Sequence, residues 1–101
     1  MDEPEAPPAI ETTPRCVLFY EAGADAAEKA QRLFPAHWAR CLEFRDGGLL
    51  LQVGTFRDRP TLGAMAIFAS REAAEEFIAG DPFVLEGVVE RPELRDWEEA
   101  H

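Results

Sequence analysis

Two side chains in this sequence are equipped for proton chemistry: His37, in Pro35-Ala36-His37, and Asp81, in Ala79-Gly80-Asp81-Pro82-Phe83-Val84. An imidazole titrates near neutrality, with an ordinary pKa of about 6.5, and a neighbouring carboxylate orients its ring and makes it a general acid or base. His37 is the only histidine inside the body of the chain, because His101 is the terminal residue. No metal site is therefore expected. No Gly-x-Gly-x-x-Gly or phosphate loop occurs, and neither Ser70 nor Cys41 stands beside a recognisable base for nucleophilic catalysis. Any enzyme here is expected to use acid–base chemistry without a cofactor.

Each of these residues also has a plain structural use. Ala30, Leu33, His37, Cys41 and Phe44 recur at three- and four-residue steps, so His37 lies on an apolar helical stripe and faces inward. Asp81 followed by Pro82 reads as a helix N-cap with proline at the first helical position. A carboxylate has acceptor sites enough to cap a helix and hold an imidazole together. Phe83 reads more readily as a core or dimer anchor than as a ring for a substrate to stack on. Tyr20 ends a strand, where its hydroxyl faces either a cleft or, the preferred reading, solvent.

The elements that position these groups follow from periodicity. Cys16 to Tyr20 is apolar throughout, as in a strand covered on both faces. Ala24 to Phe44 is rich in strong helix formers, and Pro35 within it predicts either one long kinked helix or two successive ones. In the second case His37 falls in a first turn, where the helix dipole disfavours the imidazolium. Asp46-Gly47-Gly48 stops the helix, and Leu49 to Val53 reads as a second strand leading to Gly54-Thr55-Phe56. Arg57 to Thr61 is expected to be an exposed connection. Gly63 to Phe68 reads as a third strand, and Ser70 as the N-cap of an acidic-starting helix that ends near Gly80. Pro82-Phe83-Val84 is one short turn, and Gly87 to Glu90 is the expected last strand. The order β-α-β-β-α-β predicts an α+β, ferredoxin-like antiparallel sheet with both helices on one face. Its other face is then apolar, and a second copy of the chain would cover it.

The 101 residues fit one domain, with residues 1–14 an acidic, proline-rich arm expected to be disordered, 15–97 the folded domain and 98–101 a tail. Net charge is −10, and one lysine and nine arginines are scattered among twenty acids, so a nucleic-acid partner is not expected. No leader segment is apparent and the apolar runs are too short to span a bilayer, which makes a cytoplasmic protein without a membrane partner the expectation. Cys16 and Cys41 lack metal-motif spacing and read as buried free thiols.

Over residues 16–97 the sequence resembles the YciI family, also called YCII-related proteins. The resemblance is carried in order by Pro35-Ala36-His37-Trp38-Ala39, Gly48-Leu49-Leu50-Leu51-Gln52-Val53-Gly54-Thr55-Phe56, Gly63-Ala64-Met65, Ser70-Arg71-Glu72-Ala73-Ala74-Glu75-Glu76-Phe77, Asp81-Pro82-Phe83-Val84 and Gly87-Val88-Val89. It implies a dimeric α/β barrel of ferredoxin-like fold with a His-Asp dyad, which maps onto His37 and Asp81, in a cleft between helices and sheet. It also implies lyase-like chemistry of the dehydrochlorinase kind on a small cyclic or aromatic compound, with Tyr20, Arg40 and Phe83 as candidate substrate contacts. Many relatives have arginine just before Pro-Ala-His where this chain has Phe34, so an anionic substrate would need Arg32, Arg40 or Arg57 against an acidic surface. Two alternatives remain: a non-catalytic dimer that binds or senses a small molecule in the same cleft, and a structural dimer with a satisfied His-Asp pair.

Overall fold

A computed structural model describes residues 9–58 and 63–101. Most of the arm (1–8) and the centre of the connection after the second strand (59–62) lie outside the described residues. The elements are β1 (Thr12–Tyr20), α1 (Ala27–Asp46), β2 (Leu50–Thr55), β3 (Ala64–Phe68), α2 (Arg71–Gly80), α3 (Pro82–Leu85) and β4 (Glu93–Ala100). The sheet order is β2-β3-β1-β4 with every neighbour antiparallel, the expected ferredoxin-like α+β topology. No described helix is long and apolar enough to cross a membrane.

The last strand is not where the sequence placed it. Gly87 to Glu90 makes only an isolated bridge, Ala22 to Val89, and Val88 and Val89 are buried as core residues of a turn. Gly87 sits at φ 80°, a left-handed conformation, and Pro92 lacks an N–H, so the ladder cannot begin there. The strand begins at Glu93 and pairs with β1 as far as Ala100, which also draws Thr12 to Pro14 out of the expected arm. That early part of β1 has no partner on the β3 side, a setting in which a sheet admits a proline. The charges of β4 suit an edge strand, where they discourage pairing with other chains.

Pro35 sits inside one continuous helix, α1, rather than between two. His37 is therefore mid-helix, and the first-turn dipole effect does not apply. Gly48, at φ 77°, lets the chain leave α1, with Leu49 N–H donating back to the Phe44 carbonyl at 2.9 Å. Ser70 caps α2 as expected, its Oγ accepting from Ala73 N–H at 3.1 Å.

Side-chain alternation sends Cys16, Leu18 and Tyr20 of β1 toward the helices, with Ala66 and Phe68 of β3. Phe77 of α2 is the hub of this core. It meets Phe44 edge-on at 5.2 Å and Phe68 at 5.2 Å between ring centroids. The opposite face carries Val17 and Phe19 in register with Ile67 and Met65, an apolar strip. Both cysteines are free and buried.

Candidate active site

The site is built on a break between two helices. A residue before proline is driven out of the α region, and Asp81 accordingly has φ −75° and ψ 123°, ending α2 and starting α3. Its Oδ1 accepts from Phe83 N–H at 3.2 Å, the expected N-cap bond. The same carboxylate is fully buried and accepts two further bonds. His37 Nδ1 lies 2.8 Å from Oδ1, and the Tyr20 hydroxyl donates to Oδ2 at 2.6 Å. Three donors from three elements converge on this buried carboxyl, so neither oxygen is left without a partner.

This arrangement fixes the imidazole. With Asp81 accepting, Nδ1 carries the proton and Nε2 is left as an acceptor. Phe83 covers one face of the ring in a parallel stack, centroids 4.0 Å apart and planes within 4°. Phe77 presents its edge at 6.2 Å. Nε2 points toward Cys41, one helical turn on, with Sγ at 3.6 Å, and a small cavity of about 30 Å³ lies among Leu18, Tyr20, His37, Cys41, Ala66 and Phe77. The imidazole is therefore oriented, nearly dry, with a 12% exposed side chain, and still able to take a proton at one defined atom.

The electrostatics follow the same pattern. Burial first, then the hydrogen bond and charge of Asp81, push the Tyr20 hydroxyl far above its usual range, so it stays a donor. Burial and then Asp81 push the Cys41 thiol up to about 11, so it too is protonated at neutral pH. An S–H rather than a thiolate faces Nε2.

Arg40 is used differently from expectation. Its Nε donates to the Phe77 carbonyl at 3.0 Å and Nη2 to the Glu76 carbonyl at 2.8 Å. Helix α2 has no basic residue in its last turn, and the guanidinium of α1 takes that place, lying 4.8 Å from the Phe44 ring centroid. It passes so close to Gly80 that a Cβ there would lie 2.6 Å from Nη2. Arg40 thus anchors the end of α2 immediately before Asp81, with two donors engaged on carbonyls.

Of the residues read from sequence, His37, Asp81, Tyr20 and Phe83 come together. Tyr20 meets neither open cleft nor solvent with its hydroxyl, as expected from its place at a strand end, but Asp81. Cys41 stands beside a base after all; its spacing of four residues from His37 was the available signal. Trp38 stacks on Phe34 at 6.0 Å on the outer surface of α1. Tyr20 also borders a second cavity of about 350 Å³, with Phe19, Phe56 and Arg91 among its walls.

The sequence model of the YCII-related domain matches residues 15–98. Protein YciI of Escherichia coli O6:H1 is 32% identical over 94 residues, covering 83% of this chain and 96% of that protein, and Protein YciI of Shigella flexneri matches equally. Among solved structures, 5-chloro-2-hydroxyhydroquinone dehydrochlorinase (TftG) from Burkholderia phenoliruptrix AC1100, in complex with 2,5-dihydroxybenzoquinone, is similar with a TM-score of 0.68 at 15% identity, over 82% of this chain and 92% of that one. Protein SO0527 from Shewanella oneidensis gives a TM-score of 0.56 at 18% identity, over 91% and 96% of the two chains.

Proposed function

The chain belongs to the YCII-related family, and from that premise we propose that it is a cofactor-free acid–base enzyme acting on a small hydroxylated cyclic or aromatic compound. The observation that carries this reading is His37, held by a buried carboxylate through Nδ1, with Nε2 left as an acceptor met only weakly by the Cys41 thiol. In this reading Nε2 removes a hydroxyl proton from the substrate. Asp81 stabilises the imidazolium that forms, and the donors on its oxygens hold it in place while it does so.

The substrate class comes from the neighbour named a dehydrochlorinase. For a chlorinated trihydroxybenzene the step balances without an oxidant. The ring carbon that bears chlorine takes a proton from solvent as one hydroxyl of the ring loses its own and becomes a ketone. Nε2 then removes a second hydroxyl proton and chloride leaves with the C–Cl bonding pair. The net change is loss of one proton and one chloride, and the product is a hydroxyquinone. Small size matters, because the space beside Nε2 is tight and substrate would have to displace the weak Cys41 contact. Phe83, already stacked on the imidazole, would flank the reacting ring.

A homodimer is part of the proposal. The half-buried strip of Phe19, Met65 and Ile67 on the face away from the helices, beside the buried Val17, is suited to cover by a second copy. Sedimentation analysis should give twice the mass of one chain, whereas a monomer at micromolar concentration would remove this part of the proposal.

The Cys41 thiol against Nε2 favours one rival, a binding module in which His37 only hydrogen-bonds its ligand. The experiment that separates the two is chloride release and quinone absorbance from a chlorinated hydroxyquinol, with wild type and His37→Asn. The enzyme reading expects turnover lost at least a hundredfold with ligand affinity largely kept. Loss of affinity without any turnover by the wild type would establish the binding module instead.

A further inference from the structure

We propose that Tyr20 is a positioning residue that sets the tautomer of His37 through Asp81; the inference deepens the acid–base reading above and rests on it. Tyr20 is 9% exposed and Asp81 is fully buried, so neither oxygen of the carboxylate can draw on bulk water. Oδ1 serves His37 and the Phe83 N–H, and Oδ2 is met by the Tyr20 hydroxyl at 2.6 Å. The bond runs between the end of β1 and the α2–α3 junction, 61 residues apart in sequence, and is the side-chain tie from the sheet to that carboxylate.

The consequence is directional. A carboxylate can rotate about its own axis, and that rotation would let it offer His37 a different face. Held at Oδ2 by a hydroxyl that burial keeps protonated, it can only accept at Oδ1. His37 must then donate from Nδ1, leaving Nε2 bare. Without the hydroxyl, Oδ2 is a buried acceptor with no donor, and the carboxylate is no longer held in the plane that presents Oδ1 to Nδ1. A carboxylate free to turn no longer requires the imidazole proton on Nδ1, and the proton can sit on Nε2, the atom that has to act as base. The other titratable groups facing this cluster, Cys41 from α1 and Arg40 behind α2, bond neither oxygen of Asp81.

The chain offers clean reporters, because Tyr20 is its only tyrosine and His37 and His101 are its only histidines. Nitrogen-15 spectra of the imidazoles in ligand-free wild type and Tyr20→Phe read the tautomer directly, and the phenyl ring keeps the packing. The expected result is a single Nδ1–H tautomer for His37 in wild type and a loss of that preference in Tyr20→Phe, with the His101 signals unchanged. A tyrosinate absorbance titration completes the test: in Asp81→Asn the ionisation of Tyr20 should move down toward the ordinary tyrosine range. Should Tyr20→Phe lower stability yet leave the His37 tautomer as in wild type, Tyr20 is a packing residue and the inference is overturned. Both readouts are taken without substrate, so they can fail while the chloride-release assay succeeds, and the reverse.

Discussion

The two ends of the sheet's helical face are held by different forces. At one end Phe44 and Phe68 pack on Phe77, and Leu50 and Cys16 lie in register with Phe68 across the sheet, with no polar atom among these side chains except a thiol. At the other, Tyr20, His37 and Asp81 form a chain of short directed bonds around a buried charge. The first is stabilised by area removed from water, which tolerates exchange of one apolar side chain for another of similar volume. The second tolerates almost none, because each donor left without its acceptor costs its desolvation. Phe77 touches both ends, packing on Phe44 and Phe68 and presenting its edge to His37.

Breaking the apolar end should therefore have the largest effect on stability. Phe77→Ala is expected to cost about 4 kcal/mol in urea unfolding and to loosen His37 as well. At the polar end, Asp81→Asn is smaller in volume change but offers one good acceptor where three donors need two, and should cost about 2 kcal/mol. Its m-value should match that of wild type if the fold is kept.

Alkaline pH sharpens the same contrast. The Cys41 thiol is raised from 9.0 to about 11 and the Tyr20 hydroxyl is raised as well, so the folded state holds these protons more tightly than the unfolded one. Their stabilising contribution is complete below about pH 9, where neither group has ionised in the unfolded chain, and is lost as pH rises toward and beyond about 11. Unfolding midpoints should fall over that window, and less steeply in Cys41→Ala and Tyr20→Phe; equal slopes in all three proteins would show that these groups are not the source.

The Arg40 anchor comes next. Arg40→Met keeps much of the stem that packs on Phe44 but removes two bonds to carbonyls, and should cost about 1 kcal/mol. Smallest of all is the exposed trio of Arg71, Glu75 and Asp96, where Arg71→Gln should leave the unfolding midpoint within measurement error.

The apolar end was legible in the sequence and the polar end only in part. Periods of two and of three to four residues placed β1, α1, β3 and α2 and the stripe through His37, because burial is written in side-chain type. The N-cap role of Asp81 was readable from the proline beside it. That Tyr20 would meet Asp81 was not, since the partners are joined only by the sheet order and no local pattern encodes a contact across 61 residues. The helix-end role of Arg40 was not legible for a related reason: a guanidinium can serve a ligand or a helix end, and Gly80, which makes room for it, has no signature apart from that neighbour. Strand β4 was missed because only Leu94 and Trp97 among Glu93 to Glu99 are large and apolar; its place is secured by backbone pairing with β1, which charged side chains neither announce nor prevent.

The central claim is that a buried Asp81 fixes the proton of His37 on Nδ1. It is tested most directly by nitrogen-15 NMR of the two histidines in wild type and Asp81→Asn, with exposed His101, which meets the Thr13 hydroxyl, as the reference. The account predicts one fixed tautomer for His37 in wild type, with Nε2 bare, and its loss in the variant. A His37 signal in wild type that averages between tautomers, and does not change in Asp81→Asn, would contradict it.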